Sequence, residues 1–463
     1  MAEAALLLMA AYIASRGLGV VRQSIFNAIF GLGPEANAYY AAFRLPDALF
    51  NLIAGGALSH AFIPVFVSYD KDHGRAQAWR LTSLIFNILL VCLTLVLLVG
   101  ELFTPQFVSH ILVPGYSPSQ QALTTSLTRI MLVQPLILGL GTIATAVLSS
   151  KRQFLLPALS IAVYNVGLIA GLLMTLVIPG LGIYGPTYGV LLAAVCQVAV
   201  QVPGLVKHGL RYYFAWNLRD PGLIQVMRLL GPNAAVVALG SAALIVDTFY
   251  TSYLPDKASL AAQHNAYMLF YLPVALLAQA VSQAVLPQLS ALAARGTYSH
   301  LRRLALKVIG ASILLAVPIA VALCFLGKPL IRILFQHGAF THHSSTLTTL
   351  ALIGYAVGLP GVIAGELIAR AFYSLKDAVT PLFTNIFAFV SRIGLIIGLL
   401  VICTGQNVIL AIPLAASGSA TAEAFLLCLL LYFRLRKKVA QEKQARLEQI
   451  KKENAAEVTA EPV

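Results

Sequence analysis

The chain has 463 residues, of which 59% are hydrophobic and only 10% charged, and its mean hydropathy is +0.84. Soluble domains carry about 25% charged residues, so the composition argues against a soluble multi-domain protein and for a polytopic helical membrane protein. The formal net charge of +14 does not mark a nucleic-acid binder, because the basic residues sit mostly at the ends of apolar segments and no zinc finger or basic helix is present.

Apolar runs predict twelve transmembrane helices. The first covers about 4–30 and leads into further spans, so it reads as a membrane helix and not a removed signal. The second covers about 35–66; Pro46, Gly55 and Gly56 predict a kink or break near its middle. A polar loop at Asp70–Arg80 precedes a helix over about 81–104, then a loop with Pro105, Pro114, Gly115 and Pro118. Helices follow over about 122–149, 155–178 and 185–206. A polar linker, 207–222, holds Lys207, Arg211 and Arg219. The second half predicts helices over about 223–251, 261–290 and 303–325. An amphipathic segment, Lys328–Ser345, carries His337, His342 and His343. The last three helices cover about 346–373, 379–403 and 408–433, and the tail from Arg434 is expected to extend the last one briefly and then fray. The expected division is a six-helix lobe at 1–206, a cytoplasmic linker at 207–222, a second six-helix lobe at 223–433 and a charged cytoplasmic tail at 434–463.

With the N-terminus inside, the outside loops carry only Lys257, Lys328 and Arg332, while the inside loops and the tail hold the other loop cations. That asymmetry places both termini in the cytoplasm.

Two pairs of segments recur at one offset of 227 positions. Leu45-Pro46-Asp47-Ala48-Leu49 resembles Leu272-Pro273-Val274-Ala275-Leu276, and Gly167-Leu168-Ile169-Ala170-Gly171 resembles Gly394-Leu395-Ile396-Ile397-Gly398. The pairs fall on helices two and eight, and five and eleven. Parallel repeats of six helices are therefore expected, in two lobes around a central cavity that open alternately.

Ionised side chains at membrane depth are expensive and tend to face polar cavities. Arg16 and Arg22 lie six apart on the first helix, about 9 Å along its axis and about 120° apart around it. They can border one wide cavity and offer planar donor forks to a phosphate or pyrophosphate. Arg44 stands three residues before Asp47, close enough for a local pair. Arg392 lies deep in the eleventh helix, and Asp247 well inside the seventh. Glu366 precedes Arg370 by four, the spacing of a local helical pair. Cys92, Cys196, Cys324, Cys403 and Cys428 lie in apolar runs without ligand spacing, and His342 and His343 are adjacent, so no metal site is assigned. No nucleotide loop or nucleophile motif is present, so no cofactor is expected and any energy comes from a coupling ion or the membrane potential.

Ser15-Arg16-Gly17-Leu18-Gly19-Val20-Val21-Arg22 resembles the first-helix motif of the MurJ/MviN family. So do Ala42-Phe43-Arg44-Leu45-Pro46, Gly56-Ala57-Leu58-Ser59-His60-Ala61-Phe62-Ile63-Pro64, Val246-Asp247-Thr248, Gly338-Ala339-Phe340-Thr341 and Ala369-Arg370-Ala371-Phe372-Tyr373. The resemblance implies a flippase for the undecaprenyl-pyrophosphate-linked peptidoglycan precursor, lipid II, in the multidrug/oligosaccharidyl-lipid/polysaccharide exporter superfamily. It implies a bacterial inner-membrane location, an anionic lipid-linked glycan as partner together with membrane lipids and cell-wall synthesis proteins, and no enzymatic chemistry. It places the family's first-helix cavity arginines at Arg16 and Arg22; as further charges at membrane depth, Arg44 and Arg392 are expected to join them as substrate contacts, and Asn37, Asn51 and Asp247 are expected supporting polar residues.

The chain also departs from the family pattern. Phe50 and Asn51 stand where the family has a basic pair, Gly55 and Asn37 where it has acids, Tyr267 and Met268 where it has Asp-Arg, and His337 where it has Arg. Family members carry two helices after the twelfth that flank a lipid-tail groove, and here a charged tail is expected instead. The departures keep two alternatives open: export of another lipid-linked saccharide or amphiphile, and a non-transporting membrane scaffold.

Overall fold

The computed structural model describes residues 2–54 and 57–459, and every regular element among them is helical. The chain opens with α1 (Ala2–Phe30), followed by three short helices, α2 (Pro34–Ala42), α3 (Arg44–Ala54) and α4 (Ala57–Asp72). The expected kink in the second span is thus a division into pieces. The first interruption falls at Phe43, three residues before Pro46, whose missing N–H weakens the helix at that turn. Gly55 and Gly56 lie outside the described residues.

Next come α5 (Arg75–Phe107), α6 (Pro118–Met131), α7 (Val133–Ser150), α8 (Leu155–Val177), α9 (Tyr184–Ala199) and α10 (Val202–Lys207). After the linker stand α11 (Pro221–Ser252), α12 (Ser259–Val274), α13 (Val281–Ala294) and α14 (Tyr298–Phe335). The chain closes with α15 (His342–Ala356), α16 (Leu359–Ser374), α17 (Val379–Ile402) and α18 (Ala411–Thr459). Proline and a polar cap set two of the starts. Ser117 precedes Pro118 and accepts from the Gln120 N–H, and Asp220 precedes Pro221 and accepts from the N–H groups of Gly222 and Leu223.

Among the described residues, nine helical stretches are long and apolar enough to cross a membrane, or ten if α15 and α16, bent by 43°, form one span. The protein is therefore an all-α polytopic membrane protein. The set does not include α1 or the broken run α2–α4, on which the expected count of twelve also depends.

Several helices differ from their sequence outlines: the polar loop expected at Asp70–Arg80 shrinks to a turn between α4 and α5, and the spans expected over about 122–149 and 185–206 are each two helices, α6 with α7 and α9 with α10. The amphipathic stretch after residue 328 begins as helix, because α14 runs on through Pro329 to Phe335 before a turn leads to α15. A π-helical stretch at Ala275–Ala280, just beyond Pro273, joins α12 to α13. The tail does not fray early: α18 continues to Thr459. Polar contacts hold its first turns beyond the apolar run. Arg434 pairs with Asp377 at 2.8 Å, and Glu442 accepts from the Ser299 N–H and Oγ, each at 2.8 Å.

The chain divides into two compact units. One comprises residues up to His264 together with Leu330–Leu347; the other comprises Asn265–Pro329 and residues from Thr348 onward. In the first unit, Phe62, Val65 and Phe66 of α4 pack with Trp79, Leu84 and Ile85 of α5 and Val147 and Leu148 of α7. α8 and α9 approach backbone to backbone, because glycines face each other: a Cβ on Gly167 would meet Ala193 Cα at 2.5 Å, and one on Gly171 would collide with Gly189 Cα. At the turn after α14, Gly338 has φ +55°, and a Cβ there would collide with the Ala28 carbonyl that accepts from the Ala339 N–H at 2.8 Å. In the second unit, α13, α14, α16 and α18 share a core around Leu289, Leu301, Ile368 and Leu427. The local pair Glu366–Arg370 forms there.

Candidate functional site

Arg22 lies on α1 beside Gln23, with Phe26 one turn on, so these three share a face. Gln23 Nε2 donates to Tyr40 Oη at 2.5 Å and to Asn27 Oδ1 at 3.2 Å. Tyr39, Tyr40, Phe43, Arg44 and Asp47 follow at helical spacing across the α2–α3 junction, and all five reach the same space. α8 contributes Tyr164, Leu168 and Leu172 at steps of four. His264 of α12 completes the ring and stacks on Tyr40, with centroids 4.0 Å apart and planes at 22°. Together they enclose a cavity of about 230 Å³ within the first unit.

Two guanidinium groups and one carboxylate line this cavity, so its fixed charge is positive. Arg44 Nε donates to Thr248 Oγ1 at 2.9 Å, which engages one of five guanidinium donors. Arg22 Nη1 approaches Asn165 Oδ1 at 3.4 Å, a long contact that leaves the side chain loosely held. The Arg44–Asp47 pair suggested by their spacing does not form; among the described residues no cation lies within 4 Å of the Asp47 carboxylate. Thr248 takes the guanidinium instead. The aromatic rings of Phe26, Tyr39 and Tyr40 pack in tilted and edge-to-face pairs, with centroids 4.9–5.6 Å apart, and fix the wall. Cationic forks in a partly enclosed aromatic chamber suit an anion with planar oxygen faces, and an attached sugar would find ring faces and amides nearby.

The remaining expected site residues are not all gathered here. Arg16 is exposed on α1 and is not among the lining residues. Arg392 is half-buried on α17 in the second unit. Asn51 is exposed on α3, and Asp247 is buried on α11, where its carbonyl accepts from Thr251 Oγ1 at 2.6 Å. Asn37 is fully buried and ties backbone together. Its amide donates to Leu32 O at 3.0 Å, to Gly33 O at 2.8 Å and to Lys257 O, and its oxygen accepts from the Ala261 N–H at 2.8 Å. The histidines near α15 also have partners: His343 Nε2 bonds Asp256 at 2.6 Å, and His342 lies 3.1 Å from Arg332.

Gln23, Tyr40, Tyr164 and His264 line the cavity without having been singled out by sequence. The spacing of Tyr39, Tyr40, Phe43, Arg44 and Asp47 carried a usable signal, since those positions share one helical face. His264 carried none: a single histidine in an apolar helix gains its meaning only from Tyr40 beneath it.

The family model for the lipid II flippase MurJ matches residues 26–459. Lipid II flippase MurJ of Burkholderia cenocepacia is 30% identical over 437 residues, covering 92% of this chain and 81% of that relative. Lipid II flippase MurJ of Thermosipho africanus is 28% identical over 379 residues, covering 82% and 76%. Among solved structures, lipid II flippase MurJ in an inward closed conformation matches with a TM-score of 0.78 at 24% identity, over 92% of this chain and 87% of that one. An inward-facing multidrug resistance MATE family transporter of the MOP superfamily gives the same TM-score at 13% identity, over 93% and 95%. These two structures share the fold. A chain of membrane-length helices matched over nearly its whole length by one family model belongs to the MurJ family, as a divergent member, and is a multi-pass inner-membrane transporter and not an enzyme.

Proposed function

We propose that this protein flips lipid II across the inner membrane by alternating access, and that Arg22 and Arg44 grip the pyrophosphate. Family membership gives the coarser function, flipping of a lipid-linked cell-wall precursor. The observation that carries the finer reading is the convergence of Arg22 and Arg44 on one aromatic chamber. In this reading α1 and the run α2–α4 are the first two of twelve spans, arranged as two parallel six-helix lobes with both termini in the cytoplasm. The charge asymmetry of the loops and the offset of 227 between helix pairs support that arrangement. Arg16 and Arg392 serve as further contacts along the substrate path, and Asn37, Asn51 and Asp247 as supporting polar groups.

A second reading is export of another lipid-linked saccharide. It is favoured by Asn51 and Met268, which stand where the family pattern has cations. Binding separates the two. Native mass spectrometry of the purified protein is expected to show lipid II and undecaprenyl pyrophosphate bound, with neutral undecaprenol weaker by about tenfold or more, the effect of losing hydrogen bonds to a charged group. Equal binding of the neutral polyprenol would remove the arginines from the substrate site. Tighter binding of a polyprenyl-pyrophosphate bearing a different sugar would favour the second reading.

A further inference from the structure

The first unit holds a second cavity, about 490 Å³, whose character is opposite to that of the arginine chamber. It lies among α5, α7, α9 and α10, and nearly all its lining is hydrocarbon: Phe86, Leu90, Leu140, Ile143 and Val198 are typical. Its polar features gather at one end. Arg211 stands there with Tyr212, both exposed, and Trp79 lines the wall beside them.

Trp79 is 2% exposed, and its indole N–H has no hydrogen-bond partner among the described residues. A buried donor left unpaired costs about 1–3 kcal/mol. Buried tryptophans ordinarily find an acceptor. The indole nitrogen is sealed within the wall, so that cost is carried by the fold.

The linker after α10 forms one lip. It is extended and stitched to α5: the Tyr213 N–H donates to Ser83 Oγ at 3.1 Å, Tyr212 Oη to Asn87 Oδ1 at 2.9 Å, and Asn87 Nδ2 to Ala215 O at 3.0 Å. It leaves Tyr212, Phe214 and Trp216 exposed at 60%, 88% and 54%, flanked by Arg211 and Arg219. Exposed aromatic rings interleaved with arginine are the composition of a chain segment lying at a membrane–water interface. The same end of the unit carries Arg75 and Arg80 at the start of α5, Lys151 and Arg152 after α7, and Lys207 at the end of α10. The cavity thus descends from a basic, interfacial rim into hydrocarbon.

We infer that this cavity holds one acyl chain of an anionic phospholipid, with the phosphate at Arg211. The lining runs along α5 from Trp79 to Leu90, about 16 Å at 1.5 Å per residue. That depth takes a single fatty-acyl chain but only a fraction of a polyprenyl chain, which selects the bulk lipid over the transported one. The bound lipid fills space that the side chains leave empty and braces the linker against α5.

The test uses the full-length protein in phosphatidylcholine vesicles doped with phosphatidylglycerol carrying a photoactivatable acyl chain, with labelled peptides mapped by mass spectrometry. Labelling is expected to concentrate on α5, α7 and α9–α10 around the cavity. Arg211→Gln is expected to lower it about fivefold, the worth of one cation facing an anionic lipid surface. Leu140→Trp, which fills the cavity, is expected to abolish it. Should Leu140→Trp fail to fold, the exposed Arg211 still decides. Labelling spread evenly over the lipid-facing helices, labelling unchanged by Arg211→Gln, or equal labelling by a phosphatidylcholine probe would overturn the proposal. Stronger labelling of the same peptides by a polyprenyl phosphate probe would also overturn it.

Discussion

Arg44→Ala is expected to lower the initial rate of lipid II translocation in proteoliposomes by at least about tenfold, since hydrogen bonds to charged groups contribute about 1.5–3 kcal/mol and each 1.4 kcal/mol is a factor of ten. Arg44 is anchored through Thr248 at 2.9 Å, so its guanidinium is already placed when an anion arrives, and little side-chain freedom is lost on binding. Arg22 lines the same cavity but is held only by a long contact to Asn165. Arg22→Ala is therefore expected to reduce the rate as well, by a smaller factor. Arg16 is exposed and outside the lining, so Arg16→Ala is expected to act least of the three. Equal loss from all three substitutions would indicate a diffuse electrostatic effect and not a built site. Initial rates measured at matched protein density and equal vesicle size give the comparison.

Gly171→Leu is expected to destabilise the protein by about 3 kcal/mol, at the upper end of overpacking costs. A side chain at Gly171 has nowhere to go. Its first carbon would already collide with backbone of Gly189 and lie 2.8 Å from the Gly185 carbonyl oxygen, so α8 and α9 must separate. Close backbone approach through small residues is what holds such helices together where no hydrophobic drive acts between them. Gly398, its counterpart at the repeat offset on α17, has nothing within 4 Å of the same position. Gly398→Leu is expected to stay within about 0.5 kcal/mol of the parent, as surface substitutions do. Thermal unfolding of the two purified variants in one detergent makes the contrast. A Gly398 variant as unstable as the Gly171 variant would contradict it.

That contrast also shows what the sequence could and could not convey. The spans were legible because apolar runs of membrane length have few other readings, and the outlines of α8 and α17 fall within a residue or two of the observed ends. The break near Pro46 was legible because proline removes a helical donor. The identical glycine pattern of α8 and α17 was visible, but not that one copy packs against α9 and the other faces open space, because that depends on the neighbour and not on the helix itself. The same limit applied to the cavity. Arg22 and Arg44 stood out as charges in apolar helices, whereas Tyr164 and His264 became part of the site only through folding, from positions more than a hundred residues away from α1 and α2. Asn37 looked like a polar residue near the site, yet its side-chain amide donates to Lys257 O and its side-chain oxygen accepts from the Ala261 N–H, tying it to backbone around the α11–α12 turn, a role no local pattern encodes.

The most direct measurement is the translocation of labelled lipid II by the purified full-length protein in sealed proteoliposomes, set against protein-free vesicles and against the Arg22→Ala/Arg44→Ala double variant. A lipid II flippase working through the arginine chamber gives inward-to-outward movement well above the protein-free rate, and loss of most of it in the folded double variant. Movement no faster than in protein-free vesicles, or undiminished in the double variant, would contradict the assignment of that chamber as the path of the precursor.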